Sequence, residues 1–165
     1  MKKNIKIEYI ELSVSQLEPQ DAELLRAAKE ACATAYNPYS HFFVGAAVRM
    51  DNGVLVCGSN QENIAYPSGL CAERTAMFAA SAQYPLLAMT SLCIVGAECK
   101  GEYVPHPGVE ELQFCAASPC GSCRQVMVEM ERKGGRKMRV LLYYSEEKIL
   151  IFEGAESLLP FSFSF

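Results

Sequence analysis

From residue 21 the apolar positions recur at helical spacing. Leu24, Leu25, Ala28, Cys32 and Ala35 form one stripe, Asp21 offers an N-cap, and Asn37-Pro38 supplies a stop. Phe42 to Met50 then reads as a strand. Asp51-Asn52-Gly53 predicts a tight hairpin, because Asn-Gly tolerates positive φ, and Val54 to Gly58 returns as its partner. Leu70 to Gln83 is helical and apolar on nearly every side after its first turn, the pattern of a buried helix. Leu92 to Ala97 is a short apolar strand, while Pro105 and Pro107 mark residues 98 to 118 as irregular connection. A further helix opens near Cys120, with Cys123, Val126, Met127 and Met130 inward, and Gly134-Gly135 ends it. Met138 to Tyr144 and Lys148 to Phe152 complete five core strands. This order predicts an α/β fold with a mixed five-stranded sheet and helices on its faces. Ahead of it, Ile5 to Leu12 alternates imperfectly, as an added strand or an extended arm.

The chain has 165 residues and fits one domain, 1–165, with residues 1–20 an N-terminal arm to which no role is assigned. Half of it is apolar, enough for a buried core. The net charge of -4 argues against a nucleic-acid partner, since such proteins usually carry a basic excess. The one basic cluster, Arg132, Lys133, Arg136 and Lys137, brackets Gly134-Gly135 and reads as a solvated turn. No run approaches the roughly 18 apolar residues of a membrane span, and Met1-Lys2-Lys3-Asn4-Ile5-Lys6 lacks the apolar stretch of a secretory signal. The expected compartment is the cytoplasm, where eight cysteines read as thiols, ligands or catalysts and not as disulfides. Cys32, Cys57, Cys93, Cys99 and Cys115 lack ligand-like spacing, and most of them are expected in the core.

The other three cysteines carry chemistry. Cys71-Ala72-Glu73 opens one predicted helix, and Pro119-Cys120-Gly121-Ser122-Cys123 opens another 49 positions later. Three soft thiolates, two of them at i and i+3, suit Zn²⁺ and leave a fourth tetrahedral position open. Three thiolates around one dication leave excess negative charge, which weakens the metal as a Lewis acid. Helix N-termini oppose this, each acting as about half a positive charge, and Arg74 can donate to the sulfurs. A structural zinc would need a fourth ligand, for which Cys115, Cys57 and His106 are candidates. A redox Cys-x-x-Cys is a third reading, but it leaves Cys71 and Glu73 unexplained. A carboxylate beside zinc favours hydrolytic chemistry with Glu73 as general acid and base.

These elements match the zinc deaminase pattern of three Cys ligands, a non-ligand Glu and Pro-Cys-x-x-Cys. The chain resembles the small, three-cysteine, homotetrameric cytidine deaminases of pyrimidine salvage. The resemblance rests on Asn37-Pro38-Tyr39-Ser40-His41-Phe42-Phe43-Val44-Gly45-Ala46-Ala47, Asn60-Gln61-Glu62-Asn63, and Tyr66-Pro67 with Cys71-Ala72-Glu73-Arg74-Thr75-Ala76. It is completed by Pro119-Cys120-Gly121-Ser122-Cys123-Arg124-Gln125 and by Leu158-Leu159-Pro160 with Phe163. It covers about residues 20 to 165 and implies a three-layer α/β/α fold.

By this resemblance Cys71, Cys120 and Cys123 hold zinc, and Glu73 passes a proton from the metal-bound water to the pyrimidine N3 and next delivers a proton to the departing amine. The implied substrates are cytidine and 2'-deoxycytidine, and water is the co-substrate. Asn60 and Glu62 match residues that bind ribose hydroxyls, and two positions apart on an extended segment they face the same way. Phe42 matches an aromatic packed on the base, although as a strand opener it would otherwise read as core. Ala72 offers backbone contacts to the base edge. Phe163 matches a C-terminal aromatic that reaches a neighbouring subunit's pocket; packing on its own core is the alternative. Related readings are a deaminase of another cytosine compound such as blasticidin S, or a zinc-stabilised binding module without catalysis. The connection from Cys99 to Ser118 is longer than usual for the family, with consequences expected at the pocket rim.

Overall fold

In the computed structural model, residues 1–163 are described; Ser164 and Phe165 of the apolar ending lie outside them. The sheet has seven strands: β1 (Ile10–Leu12), β2 (Phe43–Met50), β3 (Leu55–Ser59), β4 (Met89–Cys99), β5 (Leu112–Cys115), β6 (Arg139–Ser145) and β7 (Lys148–Phe152). Their order is β1-β7-β6-β4-β2-β3, with β5 also on β4. All pairings are antiparallel except β4 with β6, so the sheet is mixed. Long β4 presents one edge to two partners. Ser91 to Ile94 pair with β6, and Gly96 to Cys99 pair with β5.

Seven strands replace the expected five. The added ones are β1, from the N-terminal arm, and β5, from the connection read as irregular. β5 begins beyond Pro105 and Pro107, so the prolines interrupt the segment without reaching the ladder.

Three helices cover the faces: α1 (Pro19–Cys32), α2 (Ala72–Gln83) and α3 (Gly121–Gly134). Strand positions alternate between two cores. Val48, Leu92, Ile94, Val140 and Leu142 face α2 and α3, while Ala47, Cys93, Val95, Leu141 and Tyr143 face α1. The central strands are therefore buried on both sides, which is why they read as nearly unbroken apolar runs. Close approach of helix to strand depends on Gly58: a Cβ there would stand 2.4 Å from the Ala76 backbone nitrogen of α2.

Helix starts differ from expectation at α1. Pro19 occupies its first turn and Glu18 its N-cap, three residues before Asp21. Asp21 lies buried in that turn and pairs with Arg139, Oδ2 to Nε at 3.2 Å. α1 also stops at Cys32, short of Ala35 and well before Asn37-Pro38. On α3 the buried positions are Cys123, Met127, Val128 and Glu131, so Val126 and Met130 are only partly covered. The buried Glu131 carboxylate accepts backbone N–H groups from Met138 at 2.7 Å and Ala155 at 2.8 Å, joining the helix end to the strand that follows. Gly135, at φ 62°, closes α3 as the Gly-Gly pair predicted. Of the five unassigned cysteines only Cys32 and Cys93 are buried; Cys57 is exposed.

Candidate active site and metal centre

α2 and α3 start side by side, and each begins on a cysteine. Cys71 is the N-cap of α2 and Cys120 that of α3, with Cys123 one turn inside. Neither N-cap makes a side-chain capping hydrogen bond, so the sulfurs are available and sit where two helix dipoles are positive. Cys71 Sγ lies 3.9 Å from Cys120 Sγ, which lies 3.5 Å from Cys123 Sγ. All three fall within 4.8 Å of one another. Zinc–sulfur bonds of about 2.3 Å in a tetrahedron require sulfurs about 3.8 Å apart. The observed spacing fits. Among the described residues no fourth ligand side chain joins the cluster, so Cys57, Cys115 and His106 do not close it.

The metal-free protonation pattern agrees with such a site. Cys71 is pulled down to about 5, first because Cys123 donates to it, then because Arg74 and Cys120 do, against the opposing effect of burial. Cys123 is raised for the complementary reason, as the thiol that donates to Cys71. A soft dication substitutes naturally for the thiol protons of such a cluster. Arg74 Nη2 stands 3.6 Å from Cys71 Sγ, and its Nε is buried with no hydrogen-bond partner among the described residues.

Glu73 is one residue inside α2 and 4 % exposed. Burial raises its carboxyl above the ordinary range and the Cys71 thiolate adds to this, while its own backbone N–H, the Cys123 thiol and Arg74 pull the other way. It borders a cavity of about 820 Å³ together with Phe42, Asn60, Glu62, Cys71, Ala72, Arg74 and Cys120. Every sequence-predicted site residue lines this cavity except Cys123, which is buried behind it, and Phe163.

The far side of the cavity is built differently. Phe42 lies just outside β2, which begins at Phe43, one residue later than expected. The two aromatics point opposite ways: Phe43 is fully buried in the α1 core, while Phe42 reaches the cavity. A Cβ at Gly96 would approach the Phe42 ring to 2.8 Å, so glycine makes room for it. Asn60 ties this stretch down. Its Nδ2 donates to Phe42 O at 2.9 Å, and its Oδ1 accepts from Val44 N at 2.8 Å.

Glu62 Oε2 accepts backbone N–H groups from Tyr39 at 2.9 Å and Ser40 at 3.2 Å. Partial burial raises this carboxyl, but the Ser40 hydroxyl and those two N–H groups outweigh it, and the net shift is downward. Sequence reasoning missed what braces this loop. Tyr103, from the long 99–118 connection, stacks on His41 at 3.9 Å with planes 10° apart, and its hydroxyl donates to buried Asn37 Oδ1 at 3.4 Å. The unusual length of that connection was the only signal.

Phe163 is 68 % exposed and outside its own chain's cavity. Its backbone is clamped on α3: Phe163 N donates to Gln125 Oε1 at 2.9 Å, and Gln125 Nε2 donates to Phe163 O at 3.1 Å.

The family model for the cytidine and deoxycytidylate deaminase zinc-binding region matches residues 18–135, and the chain belongs to this family of zinc enzymes. The cytidine deaminase of Sporosarcina psychrophila is 38% identical over 107 residues, 65% of this chain and 67% of the relative. That of Mycobacterium tuberculosis is 37% identical over 110 residues, 66% and 71% of the two chains. Among solved structures, cytidine deaminase from Burkholderia pseudomallei superposes with a TM-score of 0.69 at 34% identity, covering 86% of this chain and 98% of that one. The three-layer α/β/α class and the Zn²⁺ cofactor both follow.

Proposed function

We propose that the chain hydrolytically deaminates cytidine and 2'-deoxycytidine to uridine and 2'-deoxyuridine with release of ammonia, serving pyrimidine salvage in the cytoplasm. The observation that carries this reading is a buried carboxyl, Glu73, beside a three-sulfur cluster in a cavity of small-ligand size. Held by Cys71, Cys120 and Cys123, Zn²⁺ supplies the Lewis acidity that makes water a competent nucleophile near neutral pH. Glu73 takes a proton from that water and hands it to ring N3. The water oxygen adds to C4. The same carboxylate then takes the second proton from that oxygen and delivers it to the C4 amine, so the C–N bond breaks, ammonia leaves and a C4 carbonyl remains. Its closed surroundings favour proton transfer to the ring over loss to solvent.

Arg74 offsets the excess sulfur charge through its contact with Cys71. Phe42 packs on the base, the Ala72 backbone meets the base edge, and Asn60 and Glu62 take the ribose hydroxyls. Both polar side chains keep acceptor capacity beyond the bonds they make to the backbone. We read the working enzyme as a homotetramer in which Phe163 completes a neighbouring subunit's pocket. Its exposure, with the backbone anchored by Gln125, supports that role over packing on its own core. Among the described residues no helix is long and apolar enough to cross a membrane.

Glu73→Gln is the decisive test. Zinc stays at its normal stoichiometry and ammonia release from cytidine falls by about 10²- to 10⁴-fold. Unchanged release in that variant overturns the mechanism.

A further inference from the structure

Residues 3–11 read Lys-Asn-Ile-Lys-Ile-Glu-Tyr-Ile-Glu and precede the family match, which starts at residue 18. They lead into β1, an outermost strand of the sheet, whose outer edge pairs with no strand among the described residues. The register with β7 begins only at Ile10, so the residues before it extend past the ladder. Ile5, Ile7 and Tyr9 are 55%, 48% and 52% exposed, three apolar side chains at alternate positions of the segment that runs into β1. Lys6 and Glu8 occupy the intervening positions and pair with each other, Nζ to Oε1 at 2.6 Å. An edge with an apolar stripe and no proline or bulge is a template for another strand.

The charge pattern identifies that strand. Set antiparallel to its own copy about Ile7, the segment places Ile7 on Ile7, Ile5 on Tyr9, Lys6 on Glu8 and Lys3 on Glu11. Every charge of residues 3–11 meets its opposite in this register, and Ile5, Ile7 and Tyr9 meet apolar residues, while Ile10 falls on Asn4. A slip of one residue sets Ile7 against Lys6 or Glu8. A slip of two sets Lys6 on Lys6 or Glu8 on Glu8. Cross-strand like charges are unfavourable and slipped registers mix the faces, so a single register is selected. We propose that the N-terminal arms of two copies of this chain pair antiparallel about Ile7 and join two β1 edges.

The test uses the zinc-loaded full chain under mild oxidation, with dimers read on non-reducing gels. Ile7→Cys faces its own copy and cross-links at least fivefold more than Lys3→Cys, whose copy lies eight residues away, roughly 27 Å along the strand. The unsubstituted chain sets the background from native thiols such as exposed Cys57. Equal yields from the two variants overturn the proposal. Adding Lys6→Glu to Ile7→Cys lowers the yield severalfold by opposing Glu8, and adding Glu8→Lys as well restores it. A double exchange no better than the single one overturns the register.

Discussion

The two sides of the cavity hold their functional groups by different means. On the sulfur side, Cys71, Glu73, Cys120 and Cys123 ride on the first turns of α2 and α3, helices whose inner faces are sunk in one core. On the opposite side, Phe42, Asn60 and Glu62 sit at strand ends and in a loop, held by hydrogen bonds to backbone groups of residues 39–44. Groups that bind a metal and move protons tolerate little positional error and belong on rigid elements. Groups that orient a sugar can rest on a loop, provided something restrains it. The contrast predicts that damage to the first side abolishes chemistry, while damage to the second weakens binding in graded steps.

The largest effect is expected from Cys120→Ala. Two sulfurs cannot enclose the metal, so both bound zinc and turnover are lost, and metal analysis of the purified variant measures the first directly. A full equivalent of zinc in that variant would remove Cys120 from the ligand set. Set beside Glu73→Gln, which keeps zinc and loses rate, it separates the two functions carried by the helix starts.

Asn60→Ala strikes the other side. It leaves Phe42 O and Val44 N without their partner and frees the segment that carries the Phe42 ring. Each of these part-buried groups left unmet costs up to about 1 kcal/mol, so stability falls and the KM for cytidine rises about tenfold, with zinc content unchanged. If the melting temperature drops while KM stays constant, Asn60 is a brace and does not touch the sugar.

The sulfur side was legible in the sequence because its signal is local: an i, i+3 cysteine pair and a Cys-x-Glu, each at a helix start. The helix stripes and the apolar central strands were legible for the same reason, since helical period and apolar content are properties of short windows. The contacts of Asn60 with Phe42 and Val44 span 18 and 16 positions, and that of Tyr103 with Asn37 spans 66, so no window contains them. β5, at four residues, is too short to show a period, and β1, at three, left only the imperfect alternation of residues 5–12, read as an added strand or an extended arm. The start of α1 was misplaced because Asp21 has the chemistry of an N-cap but is used in an ion pair, while Pro19 sets the first turn.

The smallest effect tests whether the restraint on the sugar side reaches substrate. Tyr103 touches neither Glu62 nor any other cavity-lining group through a hydrogen bond; it stacks on His41 and donates to Asn37, at the two ends of the turn that presents Tyr39 and Ser40 to Glu62. Tyr103→Phe keeps the stack and loses only the 3.4 Å hydrogen bond, a long one, so its kinetics stay close to the unsubstituted chain. Tyr103→Ala removes the ring as well. The turn then samples orientations in which its N–H groups no longer converge on Glu62 Oε2, and KM rises about threefold while kcat and zinc content hold. Steady-state kinetics of the two variants in parallel distinguish the cases. A fall in kcat without a rise in KM would place the influence of Tyr103 on the proton-transfer side of the cavity and erase the division drawn between the two regions.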